Sequence, residues 1–348
     1  MKERLLTIVV PAYNMEKYIR RCLNSIVSPQ VMNCVEVYVV NDGSKDSTLD
    51  IIKEYEYNYP GYIHVIDKEN GNYGSVMNVA LSKAKGRYFR TLDADDRYET
   101  QAFEHFVQDL QETDADMLIC ERYEFFEKSG VKEHIKLDDQ FPRNQDVPVS
   151  SKFWSSKLVR GLAHVSSVCY KTDLLRKSGL QWSERVFYTD NEFLFWPLKL
   201  VKTIRFISEP VYVYYIGRDE QSVSASSIRK NFHSFDVVTS KLLERYISSG
   251  HDLATDILMK KILTVDLFPN FYLTLIVDGL KNKKSIDKVE ALLKHNNLLL
   301  TETAGIHNYR NFRYVDAYRS NMLRYHLIRF DYRLRSSKFL SFLKRRGC

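Results

Sequence analysis

The chain has 348 residues with a net charge of +7, and 44% of them are hydrophobic, so one large domain or two ordinary ones with a substantial core are expected. The five cysteines are odd in number and include no Cys-x-x-Cys, which argues against a disulfide framework and favours reduced, mostly buried thiols in a cytoplasmic protein. We expect neither a signal peptide nor a spanning helix, because an apolar strand begins after four residues and the longest late apolar run, 267–277, is short and interrupted.

Short apolar runs alternate with helical patterns through the first third of the chain. The runs at 5–10, 35–40, 62–66, 88–92 and 117–120 predict strands, and the apolar spacing between them predicts helices. This β-α-β-α order is typical of a doubly wound, mostly parallel α/β sheet. No Gly-x-Gly-x-x-Gly follows the first strand and no P-loop motif is present, which argues against dinucleotide-binding and P-loop folds.

The pattern changes twice further along the chain. Residues 125–165 mix glycine and proline with charges and predict loops and irregular structure. A helix at 190–202 and strands at 204–207 and 211–216 follow. After Ser227 strand signals largely vanish, and helical patterns dominate to the end.

Charge divides the chain at a similar place. Residues 229–348 carry 22 Lys and Arg against 11 Asp and Glu, whereas 1–228 carry 29 against 33. We therefore predict an α/β domain at 1–225 and a mainly helical, basic region at 226–348. The basic amphipathic segment near the end predicts either a packed helix or contact with an anionic membrane. Nucleic acid is not expected, because no recognised nucleic-acid module accompanies the charge.

Three carboxylates, Asp93, Asp95 and Asp96, follow the fourth predicted strand. Strands in open α/β sheets deliver functional groups at their carboxyl ends. Carboxylates this close repel one another unless a cation or several donors hold them, so a divalent cation that also binds substrate phosphates is favoured. The alternative is an acidic turn in which Asp96 or Thr100 caps the next helix.

Two more polar loops fall on the same predicted edge of the sheet. Pro-Ala-Tyr-Asn at 11–14 follows the first strand, and Asn14 is a candidate cap for the next helix. Asn-Asp-Gly-Ser at 41–44 follows the second strand, where Asp46 is either a site residue or the cap of the following helix. Together the three loops predict a site for a nucleotide base, its ribose and a metal-bound diphosphate.

Four motifs carry a family resemblance: Val-Val-Pro-Ala-Tyr-Asn at 9–14, Val-Asn-Asp-Gly-Ser at 40–44, Lys-Glu-Asn-Gly at 68–71 and Leu-Asp-Ala-Asp-Asp at 92–96. With them the chain resembles the inverting family 2 glycosyltransferases, which have the GT-A fold. Tyr-Thr-Asp-Asn-Glu-Phe at 188–193 looks like the acidic helix start of that family. The resemblance covers residues 4 to about 225 and leaves the helical end uncovered.

The resemblance implies roles for individual residues. Asp190 would be the general base, and Asp95 with Asp93 would hold Mn²⁺ or Mg²⁺. Thr189 stands where many members have a glutamate, and Glu192, the nearest competitor for the base, lies about 200° around a helix from Asp190. The residues implied to bind the nucleotide-sugar are Pro11, Ala12, Tyr13, Asn14, Asp42, Asn70, Asn78, Asp93, Ala94, Arg218 and Gln221.

The implied function is metal-assisted transfer of a sugar from a UDP-sugar to a hydroxyl of a glycan, glycolipid or glycoprotein. The implied setting is the cytoplasm, with peripheral contact at the inner face of the plasma membrane and a homo-oligomer both compatible with the sequence. Two alternatives stay open. A sugar-phosphate nucleotidyltransferase would need a basic, glycine-rich loop after the first strand, and a non-catalytic scaffold subunit would not need to retain Asp93, Asp95 and Asp190.

Overall fold

The computed structural model describes residues 4–137, 141–151, 164–217, 230–248, 253–294 and 314–331, and the single positions 139, 153, 296, 299 and 303. The chain divides into two compact units. The first is Met1–Gln221 with Asp252–Ile257, and the second is Ser222–His251 with Leu258–Cys348. Our boundary near residue 225 stays a prediction.

The first unit is built on one ten-stranded sheet. Its main path runs β3-β2-β1-β4-β9-β6-β10-β5, while β7 pairs with β6 and β8 with β10. The strands are β1 (Leu6–Ala12), β2 (Val35–Asp42), β3 (Ile63–Lys68), β4 (Tyr88–Thr91), β5 (Arg97–Tyr98), β6 (Met117–Phe126), β7 (Val131–Ile135), β8 (Asp146–Pro148), β9 (Val168–Lys171) and β10 (Thr203–Ile216).

The first half of this sheet is parallel and doubly wound. β1 pairs in parallel with β2 and β4, and β2 pairs in parallel with β3. Every residue of β2 and β4 is buried, which explains why these strands do not alternate between apolar and exposed polar residues. The carboxyl ends of β1, β2 and β4 therefore meet at one edge, as predicted.

Short helices connect the strands of the first unit. They are α1 (Ile19–Ile26), α2 (Thr48–Asn58), α3 (Asn72–Lys83), α4 (Thr100–Asp109), α5 (Thr172–Lys177) and α6 (Asp190–Phe195), with 3-10 turns at Val165–Ser167 and Trp196–Leu200.

β1 continues through Pro11, although we predicted that the proline would stop it. Leu92 donates its N–H to the carbonyl of Val9. The backbone N–H and C=O groups of the odd-numbered residues of β1 therefore point toward β4. The missing N–H of Pro11 therefore points past the end of β4, where no ladder hydrogen bond is lost.

Three predicted elements in the second half of the sheet were wrong. Residues 125–165 are not all irregular, because β6 runs to Phe126 and forms an antiparallel hairpin with β7. The first residues of β7 are exposed, so the strand has no apolar signal. The helix predicted at 190–202 ends at Phe195, where Pro197 enters a 3-10 turn. β10 is one strand with a shifted register between Ile207 and Tyr212, not two.

The described part of the second unit is helical, as predicted. The helices are α7 (Phe232–Ile247), α8 (Leu253–Lys261), which begins within the Asp252–Ile257 segment of the first unit, α9 (Phe268–Val277), α10 (Lys283–Leu293), α11 (Tyr314–Ser320) and α12 (residues 322–331), with a π-helical turn at Ile262–Leu267 and a 3-10 turn at Gly279–Asn282. Among described residues no single helix has the length and apolarity to cross a bilayer, and Ala254–Leu275 with Leu280–Leu293, bent by 109°, passes that test only as a pair.

Candidate functional site

The loops after β1 and β2 are tied to each other. The backbone of Asn14 has a φ of +54°, its N–H donates to Ser44 Oγ at 3.0 Å, and its Oδ1 accepts from the N–H of Lys45 at 2.8 Å. Asn14 is therefore not a helix cap, and that prediction was wrong: α1 begins only at Ile19. Beside this junction, Tyr13 is 46% exposed and presents its ring at the edge of the sheet.

Asp46 stabilises the start of α2. Its Oδ1 accepts from the N–H and the hydroxyl of Thr48, at 3.0 and 2.6 Å, and its Oδ2 accepts from the N–H of Glu16 at 3.1 Å. Partial burial opposes these hydrogen bonds, but they hold the pKa of Asp46 below its usual range. Of the two roles predicted for Asp46, these contacts support the structural one.

Asp42 anchors the loop that follows β3. Its buried Oδ1 accepts from Lys68 Nζ at 2.7 Å and from the N–H of Gly71 at 2.9 Å. Its backbone carbonyl accepts from Asn70 Nδ2 at 2.9 Å. No described residue donates a hydrogen bond to its second oxygen, Oδ2. The structure thus brings two predicted site residues, Asp42 and Asn70, together at the end of β2.

The three carboxylates after β4 lie together, with one oxygen of each within 4.8 Å of the others. Asp96 is fully buried and accepts from the Tyr212 hydroxyl at 2.7 Å and from the N–H of Tyr215 at 2.8 Å. Burial and the charge of Asp93 raise the pKa of Asp96 well above its usual range. Asp96 is thus part of the scaffold, and the half-buried Asp93 and Asp95 are the better cation ligands.

Neither predicted cap is found at α4. The residue before this helix is Glu99, without a side-chain capping bond. Thr100 Oγ1 instead donates to the carbonyl of Ser25 at 3.1 Å. The carboxylate of Asp96 accepts hydrogen bonds from Tyr212 and Tyr215.

Sequence reasoning missed Arg21, which holds this loop from α1. Its guanidinium donates to the carbonyl of Asp95 and lies 3.7 Å from the ring centroid of Tyr215. The apolar spacing of α1 predicted only its core face, so no signal pointed to the polar side of that helix.

Asp190 begins α6 and is half-buried. Burial raises its pKa, opposed by backbone hydrogen bonds, and the charge of Glu192 raises the pKa further. Burial likewise raises the pKa of Tyr73 and Tyr214, and for both the charges of Asp93 and Asp190 add to the effect. Asp190 therefore lies near the carboxylates after β4, although it comes from a distant part of the chain.

Tyr73 is a second residue that the sequence did not single out. Its hydroxyl is buried, and burial raises the pKa of Tyr73 while a hydrogen bond with Thr91 opposes that rise. The charges of Asp93 and Asp190 also raise the pKa of Tyr73, so Tyr73 belongs to the same polar cluster as these carboxylates. Its position in the polar loop 70–74 was the available signal.

The other predicted residues have different outcomes. Asn78 was predicted to bind the nucleotide-sugar, but both parts of its amide bind Trp182 and Glu184, so we correct its role to holding that segment. Ala94 is buried beside the carboxylates. Arg218 and Gln221 lie outside the described residues.

His164 has no metal-ligand geometry. Its Nδ1 is hydrogen-bonded to Ser166 Oγ at 2.6 Å, and its ring centroid lies 5.1 Å from that of Tyr214. Burial, with the nearby charge of Arg122, lowers the pKa of His164 to about 3. The imidazole is thus neutral at physiological pH, and its contacts with Ser166 and Tyr214 are those of a structural residue.

The residues present fit a divalent cation. Asp93 and Asp95 offer the hard oxygen ligands that Mn²⁺ and Mg²⁺ bind together with phosphate. Burial raises the pKa of Asp96 and the charge of Asp93 adds to that effect, and a cation bound here would relieve the repulsion between Asp93 and Asp96.

Comparison with known proteins gives the following similarities. Residues 7–177 match the profile of Glycosyl transferase family 2. The chain is 31% identical over 164 residues to Glycosyltransferase GlyA of Streptococcus pneumoniae serotype 4, a match covering 47% of this chain and 23% of GlyA. It is 28% identical over 238 residues to the uncharacterized glycosyltransferase MG025 of Mycoplasma genitalium, covering 64% and 71%. The chain thus spans less than a quarter of GlyA's length.

Among solved structures, the fold is similar to residues 1–349 of S. aureus TarS, crystallised with UDP-GlcNAc. The TM-score is 0.63 at 17% identity, and the match covers 95% of this chain and 92% of that one. This similarity confirms the predicted fold class, an α/β domain followed by a helical region.

Proposed function

We propose, from the premise that this chain is a glycosyltransferase of family 2, that it transfers a sugar from a UDP-sugar to an acceptor hydroxyl with inversion at the anomeric carbon. One observation carries the proposal. Asp93 and Asp95 follow β4, while Asp190 comes from a separate segment. Burial raises the pKa of Tyr73 and Tyr214, and the charges of both Asp93 and Asp190 add to that rise. An inverting transfer needs this division between a donor side and a base.

The chemistry assigns the proton to Asp190. The acceptor oxygen attacks the anomeric carbon as the bond to the UDP oxygen breaks, and the hydroxyl proton passes to the carboxylate of Asp190. Burial suits this role because it raises the pKa of Asp190, and a more basic carboxylate takes a proton more readily. Glu192 is a weaker candidate, since Ser183 donates to both of its oxygens.

The contacts of the loops after β1 and β2 support a donor side built from Tyr13 and Asp42. Tyr13 would stack on the base, and Oδ2 of Asp42 would accept a hydrogen bond from it. TarS has a similar fold and was solved with UDP-GlcNAc, which supports a UDP-sugar here. Mn²⁺ or Mg²⁺ held by Asp93 and Asp95 would neutralise charge on the leaving diphosphate.

The two alternatives are less well supported. A nucleotidyltransferase would place a basic glycine-rich loop after β1, where this chain has Pro11 to Asn14. A scaffold without activity would have no reason to keep Asp93 and Asp95 half-buried beside Asp96, where burial and the charge of Asp93 raise the pKa of Asp96.

For the acceptor, we propose a glycan that is lipid-linked or protein-linked, glycosylated in the cytoplasm with this protein at the inner face of the membrane. α12 supports the membrane contact. Tyr325 and Ile328 point inward from this helix. The opposite side carries three side chains that are 60–72% exposed, here called the apolar stripe: Leu323, Leu327 and Phe330. The helix also holds two arginines against one acid, a composition suited to anionic lipid.

The test is UDP release from a panel of UDP-sugars, with Mn²⁺ or with EDTA, by wild type and Asp190→Asn. General-base loss costs on the order of 10²- to 10⁴-fold in rate, so we expect kcat to fall by about that factor while the Kd for UDP is unchanged. Asp114→Asn, which changes an exposed carboxylate paired with Lys171, is the control. Full activity of Asp190→Asn, or no release from any UDP-sugar, would overturn the proposal.

A further inference from the structure

Residues 182–185, here called the strap, lie against α3. Asn78 on α3 covers both backbone groups of Trp182: its Oδ1 accepts from the N–H at 2.9 Å and its Nδ2 donates to the carbonyl at 3.0 Å. The same Nδ2 lies 3.0 Å from Glu184 Oε1. One amide side chain therefore holds the strap much as a neighbouring strand would.

Close backbone approach fixes the strap at two more places. A Cβ on Gly74 would lie 2.0 Å from the carbonyl oxygen of Ser183, so this contact exists only because residue 74 is glycine. The N–H of Arg185 donates to the carbonyl of Gly71 at 2.8 Å. Because Gly71 also donates to Asp42, the strap is joined to the loop that we assign to the nucleotide.

The strap is also bonded to α6. Ser183 donates its N–H to Glu192 Oε2 at 2.8 Å and its hydroxyl to Oε1 at 2.7 Å. Glu192 is fully buried, and a buried carboxylate is costly unless donors satisfy it. These hydrogen bonds therefore act at a position two residues after Asp190, in the first turn of the helix.

The backbone adopts conformations that need support at the end of the strap and in the segment that joins it to α6. Arg185 has a φ of +60° and Tyr188 a φ of +65°, both in the left-handed region that costs about 1–3 kcal/mol for residues other than glycine. Such residues persist where the surrounding contacts determine their conformation. The strap and Glu192 supply those contacts on either side.

We propose that Ser183 and Glu192 are positioning residues, whose paired hydrogen bonds fix the start of α6 and so set the carboxylate of Asp190 against the donor loop. The inference rests on the proposed role of Asp190 as the general base. Ser183 and Glu192 do not touch the reacting atoms and act only through Asp190. The charge of Glu192 has a separate effect, because it raises the pKa of Asp190.

Two substitutions separate geometry from charge. Ser183→Ala removes one donor to Glu192 and frees the start of α6, and a small misplacement of a reacting group costs up to about 10²-fold in rate. We expect kcat to fall by roughly 10- to 100-fold, with the KM for the UDP-sugar unchanged. Glu192→Gln keeps one acceptor for the N–H of Ser183, and its amide donates to the hydroxyl, so the geometry survives while the charge is lost.

The pH dependence of kcat distinguishes this inference from a merely structural role, which would leave it unchanged. Asp190 must be ionised to accept a proton, so kcat falls as the pH drops through its raised pKa. Without the charge of Glu192 that pKa decreases, and Glu192→Gln should shift the acidic limb of kcat to lower pH. The double variant should be no slower than Ser183→Ala, because the two residues act as one pair.

Ser178→Ala is the matched control, since it removes a buried hydroxyl that bonds Leu175 and Leu180 and not α6; its kcat should equal that of wild type. If Asp190→Asn is inactive but Ser183→Ala and Glu192→Gln keep the wild-type kcat and pH profile, the positioning inference is wrong and the base assignment stands. If Asp190→Asn is fully active, the base assignment itself fails. A fall in kcat for Ser183→Ala that equals the fall for Ser178→Ala would also overturn the inference.

Discussion

At the scale of single residues, neighbouring carboxylates in this site have opposite surroundings. Both oxygens of Asp96 accept hydrogen bonds from β10 in the protein interior. The carboxylate of Asp95, one position earlier, is half-buried at the edge of the sheet. Adjacent residues of the same type thus have different surroundings, which suit Asp96 to stabilising the fold and Asp95 to the ligand binding that we propose for it.

Alanine substitutions should separate these two properties. Asp95→Ala should abolish Mn²⁺-dependent binding of UDP in calorimetry and leave the free energy of unfolding near that of wild type. Asp96→Ala leaves two buried donors unsatisfied, each worth about 1–3 kcal/mol, so the free energy of unfolding should fall by about 2–5 kcal/mol in urea titrations. Equal stability of the two variants, or UDP binding by Asp95→Ala that still responds to EDTA, would contradict the assignment.

At the scale of elements, α3 contacts segments from both sides of the proposed site, the loop after β3 and the strap before α6. Its first turn carries Tyr73 beside Asp93 and Asp190, and its next turn carries Asn78 against the strap. The sequence predicted the helix from the spacing of Val76, Val79 and Ala80, which concerns only the face toward the sheet. Its polar face could not be assigned, because its partner lies about a hundred residues later in the chain.

Gly74→Ala tests this packing directly. Alanine is the better helix former by about 1 kcal/mol, so propensity alone predicts a more stable protein. The new Cβ would meet the carbonyl oxygen of Ser183 at 2.0 Å, and such overpacking costs about 1–3 kcal/mol. We expect a lower midpoint of urea unfolding together with a lower kcat.

Ser82→Ala is the matched control for Gly74→Ala, because it changes an exposed position of the same helix and should be neutral or slightly stabilising. If Gly74→Ala unfolds at a higher urea concentration than wild type, the strap does not pack as described.

At the scale of the whole molecule, the sequence predicted those elements that depend on residues close together in the chain. The buried strands β1, β2 and β4 were predicted correctly, because the residues that signal each strand are contiguous in the sequence. Details of the loops after them were wrong, since β1 continues through Pro11 and Asn14 does not cap α1. The hairpin of β6 and β7 was missed, since an exposed strand has no apolar run. Only the family resemblance, and no local pattern, predicted that Asp190 and Asp93 belong to one site. The role of Arg21 depends on how α1 packs on the sheet, so the sequence alone could not predict it.

Positive charge is concentrated near the end of the chain, and the last prediction depends on this uneven distribution. Residues 310–348 hold 11 Lys and Arg against 2 Asp and Glu, and the apolar stripe of α12 lies within this segment. Each basic residue near an anionic surface contributes about 1 kcal/mol, and buried apolar area adds to it. We therefore expect the full chain to float with vesicles containing phosphatidylglycerol, and to be released by salt.

Substitution of the stripe should reduce this binding. The double substitution Leu323→Gln and Leu327→Gln removes apolar area but no charge. Flotation with vesicles should therefore decrease at every salt concentration, while the rate of UDP release with a soluble acceptor should be unchanged. Leu280→Gln, at a 39% exposed leucine outside α12, should bind vesicles as wild type does. No flotation of wild type at low salt would refute the membrane contact. A dimer in light scattering that the double substitution dissociates, without any effect on flotation, would assign the stripe to a second copy of the chain instead.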